Sequence, residues 1–384
     1  MFNFDYYNPT HVLFGNSRIN DIGKHIPQNA RVLVTYGGGS AKKFGTLDEV
    51  KTALGHRYVA EFSGIEPNPH LDTLMKAVAL VKEHNIDFLL AVGGGSVVDG
   101  TKFIAAASEW DGDIWDMWSK RLPIQSALPM GCVLTLPATG SETNGTAVVT
   151  NTQLGAKMGY NSPLLFPLFA VLDPTKSYTL PKRQVSNGVV DAFVHVIEQY
   201  LTYPVYNKVQ DRFAEGLLLT LIEEGPKALT STDNYDVCAS VMWSATLALN
   251  GLIGVGVPQD WATHRIGHQL TALYNLDHAQ TLAILLPSLL HVQKETKRIK
   301  LLQYAERVWD ISGGSDVEKI NLAITKTRDF FEDMGVKSRL SAYGISEDAI
   351  DKVISNLKRF NMIPLGEHQD IDELKLRKIL SLSY

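Results

Sequence analysis

The sequence predicts an α/β N-terminal domain followed by an all-α C-terminal domain, with the change of texture near residue 180. Three observations carry this: β-rich runs alternating with helical periodicity before that point, two Gly-Gly-Gly-Ser turns that each follow a strand and open a helix, and long amphipathic stretches after it. A chain of 384 residues is longer than one hydrophobic core usually organises, which agrees with two domains, 1–180 and 181–384.

The strands are expected at 31–36, 58–62, 88–92, 132–136 and 169–172. Between the second and third, Leu71, Leu74, Val78 and Val81 recur at helical spacing, so strand, helix and strand imply parallel pairing in a sheet covered on both faces. Beyond Asp173-Pro174 and Leu180-Pro181 the β-branched runs stop, and helices are expected over stretches such as 211–222, 237–252 and 301–309. No Gly/Ser linker separates the halves, so they are expected to pack together with a ligand cleft between them.

Composition narrows the function. An apolar fraction of 45% and a charged fraction of 20% describe an ordinary folded protein without low-complexity bias. The net charge is −5 and no Lys/Arg run exceeds the pairs Lys42-Lys43 and Lys297-Arg298, which argues against nucleic acid or anionic membrane as partner and for a small molecule. Met1-Phe2-Asn3-Phe4-Asp5 has neither a basic nor an apolar leader region, and no segment approaches the ~20 apolar residues of a membrane span, so a cytoplasmic location is expected. Cys132 and Cys238 lie far apart in sequence and read as buried free thiols.

The glycines are the first chemical signal. Gly37-Gly38-Gly39-Ser40 and Gly93-Gly94-Gly95-Ser96 present the same turn twice, each at the C-terminal end of a strand. There, glycines let the backbone approach a phosphate, and the N–H groups opening the next helix favour an anion. Neither turn is the G-x-G-x-x-G fingerprint. Gly95 to Lys102 ends Gly100-Thr101-Lys102, with Thr and Lys in the wrong order for a P-loop.

The second signal is a set of acids and imidazoles. Asp191 and His195 stand four apart in an apolar stretch, His264 and His268 repeat that spacing, and His278 follows ten residues later. Residues four apart share a helix face, and an ionisable pair in so apolar a helix is costly without a partner such as a metal. Three or four imidazoles with one carboxylate suit a divalent transition ion.

The strand-GGGS-helix turns, Thr135-Leu136-Pro137-Ala138-Thr139-Gly140-Ser141-Glu142, Asp191-xxx-His195 and His264-xxx-His268 followed by His278 together resemble the iron-containing (group III) alcohol dehydrogenases over almost the whole chain. Within them, Asn187-Gly188-Val189-Val190-Asp191-Ala192 and Pro258-Gln259-Asp260-Trp261-Ala262 resemble the branch of NADPH-dependent aldehyde reductases and butanol dehydrogenases most. The resemblance implies a dehydroquinate-synthase-like fold, a homodimer, and an NADP(H)-dependent oxidoreductase with one divalent metal ion, iron or zinc, acting on a small alcohol or aldehyde. It implies Asp191, His195, His264 and His278 as metal ligands, and His268 beside the nicotinamide as a catalytic group. It also implies Gly94, Gly95 and Ser96 at the pyrophosphate, Asp99 at the start of the helix beneath it, Thr135, Thr139 and Lys157 at the ribose and nicotinamide, and Asn68 near the adenosine.

One departure bears on the cofactor. NAD-using members of the resembled family tend to carry an acid after the first strand, whereas this chain has Gly38, Gly39 and Ser40 followed by Lys42-Lys43. That turn is expected to accept a 2′-phosphate. A metal so held acts as a Lewis acid, and an imidazole such as His268 suits proton relay, with aldehyde reduction the expected direction. The alternatives are a dehydroquinate-synthase-like lyase, which needs a Lys/Arg cluster where only Arg265 stands among the histidines, and a non-catalytic nucleotide-binding protein, which has no need of the Asp/His set.

Overall fold

Six strands pair in one parallel sheet: β1 (His11–Phe14), β2 (Val32–Tyr36), β3 (Tyr58–Phe62), β4 (Phe88–Gly94), β5 (Met130–Leu136) and β8 (Phe169–Leu172). An antiparallel hairpin, β6 (Thr146–Asn151) with β7 (Ala156–Asn161), stands apart from it. The computed structural model describes residues 1–384, which divide into two units. One is Tyr7–Pro181 with Ser231–Thr246, and the other is Met1–Tyr6 with Lys182–Thr230 and Leu247–Tyr384.

In the first unit, Phe88, Leu90 and Val92 of β4 join Val32 and Val34 in a core under helix α2 (Thr46–Leu54), which follows the short α1 (Ser40–Lys43). Leu89 and Ala91 join Leu33 on the opposite face, under α3 (Leu71–Glu83), α4 (Gly95–Ser108) and α5 (Ile114–Ser119). Burial on both faces explains why these strands read as near-continuous apolar runs. The sheet order is β1-β8-β5-β4-β2-β3. The chain therefore steps outward from β2 to β3, then returns to β2's other side for β4 and continues to β5. This reversal between β2 and β4 is a topological switch point, the place where ligands settle outside the carboxyl ends of parallel strands. Both Gly-Gly-Gly-Ser turns lie there, because Gly37 follows β2 and Gly93 to Gly95 end β4.

Helix α8 (Tyr235–Ala248) follows α6 (Lys182–Tyr200) and α7 (Lys208–Thr230) in sequence, yet residues up to Thr246 belong with the sheet. Met242 packs on Leu134 and Leu172, Trp243 meets Phe14 edge-on at 5.9 Å between ring centroids, and Thr246 Oγ1 donates to buried Glu142 at 2.6 Å. Its amphipathic spacing alone is that of any helix in the second half; these contacts with the sheet assign it. Cys132 and Cys238 are buried free thiols.

The second unit is helical: α6 and α7, then α9 (Ala262–Tyr274), α10 (His278–Val292), α11 (Arg298–Arg307), α12 (Asp316–Asp333), α13 (Ala349–Arg359) and α14 (Glu373–Leu382). Helix α6 is buried from Gly188 to Tyr200, as a central helix is, and is apolar there apart from Asp191, His195, Glu198 and Gln199. It packs on α7 and α10, and α10 in turn packs on α9, α12 and α14. Phe193 of α6 lies 5.2 Å from Phe330 and 5.6 Å from Phe331 of α12. No helix is long and apolar enough to cross a membrane.

Candidate metal centre and nucleotide turns

At the switch point, the two turns are shaped by different constraints. Gly39 has φ +104°, a conformation that disfavours any side chain, and it directly precedes α1. Gly38 is exposed with open space where a Cβ would project. Gly95 is needed for packing: a Cβ there would meet Thr139 Oγ1 at 2.3 Å. Helix α4 begins at Gly95 with no side chain capping it, leaving its N-terminal amides to an anion. The backbone N–H of Asn68 donates to Ser96 Oγ at 3.2 Å, and Lys157 Nζ of β7 donates to Asn68 Oδ1 at 2.8 Å, so Ser96, Asn68 and Lys157 form one linked group. Thr135 and Thr139 are half-buried at and beyond the end of β5. Asp99 is engaged within the protein, its carboxylate accepting from Ser141 Oγ at 2.6 Å and from the Val148 N–H at 2.9 Å.

In the helical unit, Asp191, His195 and Glu198 occupy one face of α6, while His264 and His268 lie on α9 and His278 opens α10. Asp191 Oδ1 stands 3.5 Å from His195 Nε2, 3.8 Å from His264 Nε2 and 3.8 Å from His278 Nε2. Asp191, His195 and His264 are buried, with ligand atoms all within 4.8 Å of one another. His278 is more exposed and lies outside that triad while still reaching Asp191. His268 sits further out, its ring centroid 5.3 Å from that of His278 and 6.4 Å from that of His264.

These residues fit one divalent cation. Asp191 Oδ1 and His264 Nε2 are buried without a hydrogen-bond partner, a costly state for a carboxylate oxygen. The separations of 3.5 to 3.8 Å are long for hydrogen bonds but near the edge, about 3.4 Å, of a tetrahedron with bonds of about 2.1 Å. Glu198 adds a second buried carboxylate: His264 Nδ1–H donates to its Oε2, and the Thr263 N–H donates to its Oε1 at 2.6 Å. Burial disfavours charge on His264, but Glu198 and Asp191 outweigh it and push its pKa up to about 9. Without a cation, a proton on His264 offsets part of the negative charge of Asp191 and Glu198; a bound cation takes the place of the Nε2 proton and leaves a neutral imidazole protonated at Nδ1.

The surroundings hold these groups in place. Asp277 caps α10, and Arg183 Nε at 2.8 Å and Asn187 Nδ2 at 2.7 Å tie it to the start of α6, which places His278. Asp260 donates its N–H to the Glu198 carbonyl at 2.9 Å, and its carboxylate receives Lys297 Nζ at 2.6 Å; Lys297 also meets Glu367 at 2.7 Å. Between Asp260 and α9, Trp261 has φ +62° and its ring lies 5.3 Å from His264.

Residues 9–174 match the iron-containing alcohol dehydrogenase family, and residues 185–381 match the C-terminal region of the Fe-containing alcohol dehydrogenase family. The chain belongs to the iron-containing alcohol dehydrogenase family. It is 59% identical over 375 residues, 97% of each chain, to the NADPH-dependent aldehyde reductase YqhD of Escherichia coli (strain K12). It is 42% identical over 358 residues, 92% of each chain, to the probable NADH-dependent butanol dehydrogenase 1 of Bacillus subtilis (strain 168). A crystal structure of YqhD from E. coli K-12 superposes with a TM-score of 0.99 at 57% identity, covering 100% of this chain and 99% of that one.

In this iron-containing alcohol dehydrogenase, sequence reasoning missed Glu198. The signal was present: an acid three residues after His195 and seven after Asp191, on the same face of an otherwise apolar helix. Trp118 and Tyr160 are core residues stacked at 5.0 Å between ring centroids, whereas Trp261 stands beside the histidines.

Proposed function

We propose that the chain is an NADP(H)-dependent alcohol dehydrogenase that acts mainly as a reductase of small aldehydes, with one divalent ion, iron or zinc, held by Asp191, His195, His264 and His278. The observation that carries this reading is the convergence of three imidazole Nε2 atoms on one buried oxygen of Asp191 that no hydrogen bond satisfies. The α/β unit binds the nucleotide and the helical unit the metal. When bound, the ion is a Lewis acid that draws electron density from a carbonyl oxygen, and the reduced nicotinamide is the hydride donor.

The protein's own groups bind, orient and supply a proton. The backbone of Gly38 and Gly39 with Ser40 receives the 2′-phosphate, and Lys42 and Lys43 contribute positive charge nearby. Gly94, Gly95 and Ser96 hold the pyrophosphate at the N-terminus of α4, with Asp99 near the start of that helix beneath the pyrophosphate, tied to Ser141 and the Val148 N–H. Asn68 approaches the adenosine half, while Thr135, Thr139 and Lys157 position the ribose and nicotinamide. His268 holds a proton on an imidazole nitrogen and passes it to the substrate oxygen as hydride reaches the carbon, so aldehyde, hydride and proton together give the alcohol. Reduction is favoured because NADPH is mostly reduced in cytosol.

The relative named as an NADPH-dependent aldehyde reductase supports this choice of cofactor and substrate class. A cytoplasmic homodimer without nucleic-acid or membrane partners completes the reading; two free thiols support the cytoplasmic location and a net charge of −5 the absence of such partners, while the dimer rests on the family resemblance alone. Elemental analysis of purified protein, coupled to NADPH and NADH oxidation with short-chain aldehydes, tests the proposal. The expected result is stoichiometric metal and faster oxidation of NADPH; protein without metal that oxidises neither cofactor overturns it.

A further inference from the structure

We infer that Glu198 is a positioning residue for the metal centre: its carboxylate fixes the Nδ1–H tautomer of His264 and so presents Nε2 to the cation. The inference rests on the metal reading above and extends it to a residue outside the ligand set.

Four features of the structure support it. Glu198 is buried and lies on the same face of α6 as Asp191 and His195, so the helix that supplies two ligands also supplies the brace for a third on α9. Its two oxygens are divided between adjacent residues of α9, Oε2 accepting from His264 Nδ1–H and Oε1 from the Thr263 N–H at 2.6 Å. A neutral imidazole whose Nδ1 carries the proton keeps its lone pair on Nε2, the atom that faces Asp191 Oδ1 at 3.8 Å. The Glu198 backbone is fixed as well, since its carbonyl accepts from the Asp260 N–H at 2.9 Å and Asp260 is anchored by Lys297 at 2.6 Å. A carboxylate behind a ligating imidazole sets ring orientation and raises ligand basicity, and such partners are worth about 10–100-fold in metal affinity.

Glu198→Gln isolates this role with little change of volume. The amide has one acceptor oxygen where the carboxylate has two, so either His264 Nδ1–H or the Thr263 N–H loses its acceptor and faces an NH2 group. The measurement is Co(II) affinity by chelator competition on metal-stripped full-length protein, with the visible absorption bands of the bound Co(II) as a second readout. The expected result is affinity weaker by about 10–100-fold, with shifted bands and an unchanged NADP(H) dissociation constant. Affinity within about twofold of the unsubstituted protein, with the same bands, overturns the inference while the metal reading stands. Unsubstituted protein that takes up neither Co(II) nor Zn(II) overturns both. If the amide variant does not fold, Glu198→Asp, which keeps the charge but shortens the reach, is measured in the same way: weaker affinity with shifted bands is expected, and unchanged values overturn the inference.

Discussion

His264 Nε2 and Asp191 Oδ1, carried by two different helices, face each other at 3.8 Å with neither atom hydrogen-bonded. Removing an imidazole from this set leaves the Asp191 carboxylate buried with fewer groups to share a cation. His264→Ala or His278→Ala is expected to lose most bound metal and about 10²-fold or more in turnover, the scale of a Lewis acid worth several kcal/mol. NADP(H) binding by the α/β unit is expected to persist. Metal content and turnover measured on the same preparation decide the point, and variants with stoichiometric metal and near-normal turnover refute the ligand assignment.

His268 repeats the spacing of a ligand, since it stands one helical turn after His264. Its ring is 6.4 Å from that of His264, and in the proposed ligand set Asp191 with His195, His264 and His278 would fill the four positions of a tetrahedral site. His268→Ala is therefore expected to keep its metal and lose about 10²-fold in turnover, the scale of a positioned proton donor. Free imidazole in the buffer should restore part of the lost rate. Metal lost together with activity would move His268 into the ligand set.

Cofactor choice is tested best at Gly38. An acid at Gly39 would combine charge repulsion with the strain of its φ of +104°, whereas Gly38 is exposed and has open space for a side chain. In Gly38→Asp, repulsion of the 2′-phosphate is expected to lower kcat/KM for NADPH by about tenfold, roughly 1.4 kcal/mol, while NADH changes less. Equal losses for both cofactors would show that the turn does not read the 2′-phosphate.

Glu61 ties the end of β2, just before Gly37, to its neighbours. Lys51 and Tyr58 together hold its carboxyl down to about 2, with Tyr36 contributing a hydrogen bond at 3.1 Å. The shift is a depression, so its stabilisation is complete above the unfolded value of 4.5 and disappears as pH falls toward 2. Because the side chain is 30% exposed, solvent screening reduces the effect to about 1 kcal/mol. Glu61→Gln should unfold at lower urea than the unsubstituted protein near neutral pH, with the gap narrowing as pH drops from 4.5 toward 2. A gap that stays constant over this range rules out the ionic origin.

The sequence by itself determined what depends on local repeat. The strands of the sheet core are legible because burial on both faces demands continuous apolar runs, and the glycine turns because left-handed backbone at Gly39 and close packing at Gly95 exclude side chains. Asp191 and His195 were legible as partners because four residues bring a helix back to the same face. The tertiary structure alone decided what depends on which elements become neighbours. It set β2 beside β4, so that two turns 56 residues apart meet at one switch point. It also built the β6–β7 hairpin that carries Lys157 to Asn68, and it assigned α8 to the sheet. Local spacing gives His264 and His268 equal standing, and it leaves Glu198 as one more acid on a helix. Packing of α10 against both α6 and α9 distinguishes them, because it puts His264 against Asp191 and Glu198 and leaves His268 one turn further out. A contact between residues 66 positions apart is set by how helices pack, which no periodicity within one helix can encode.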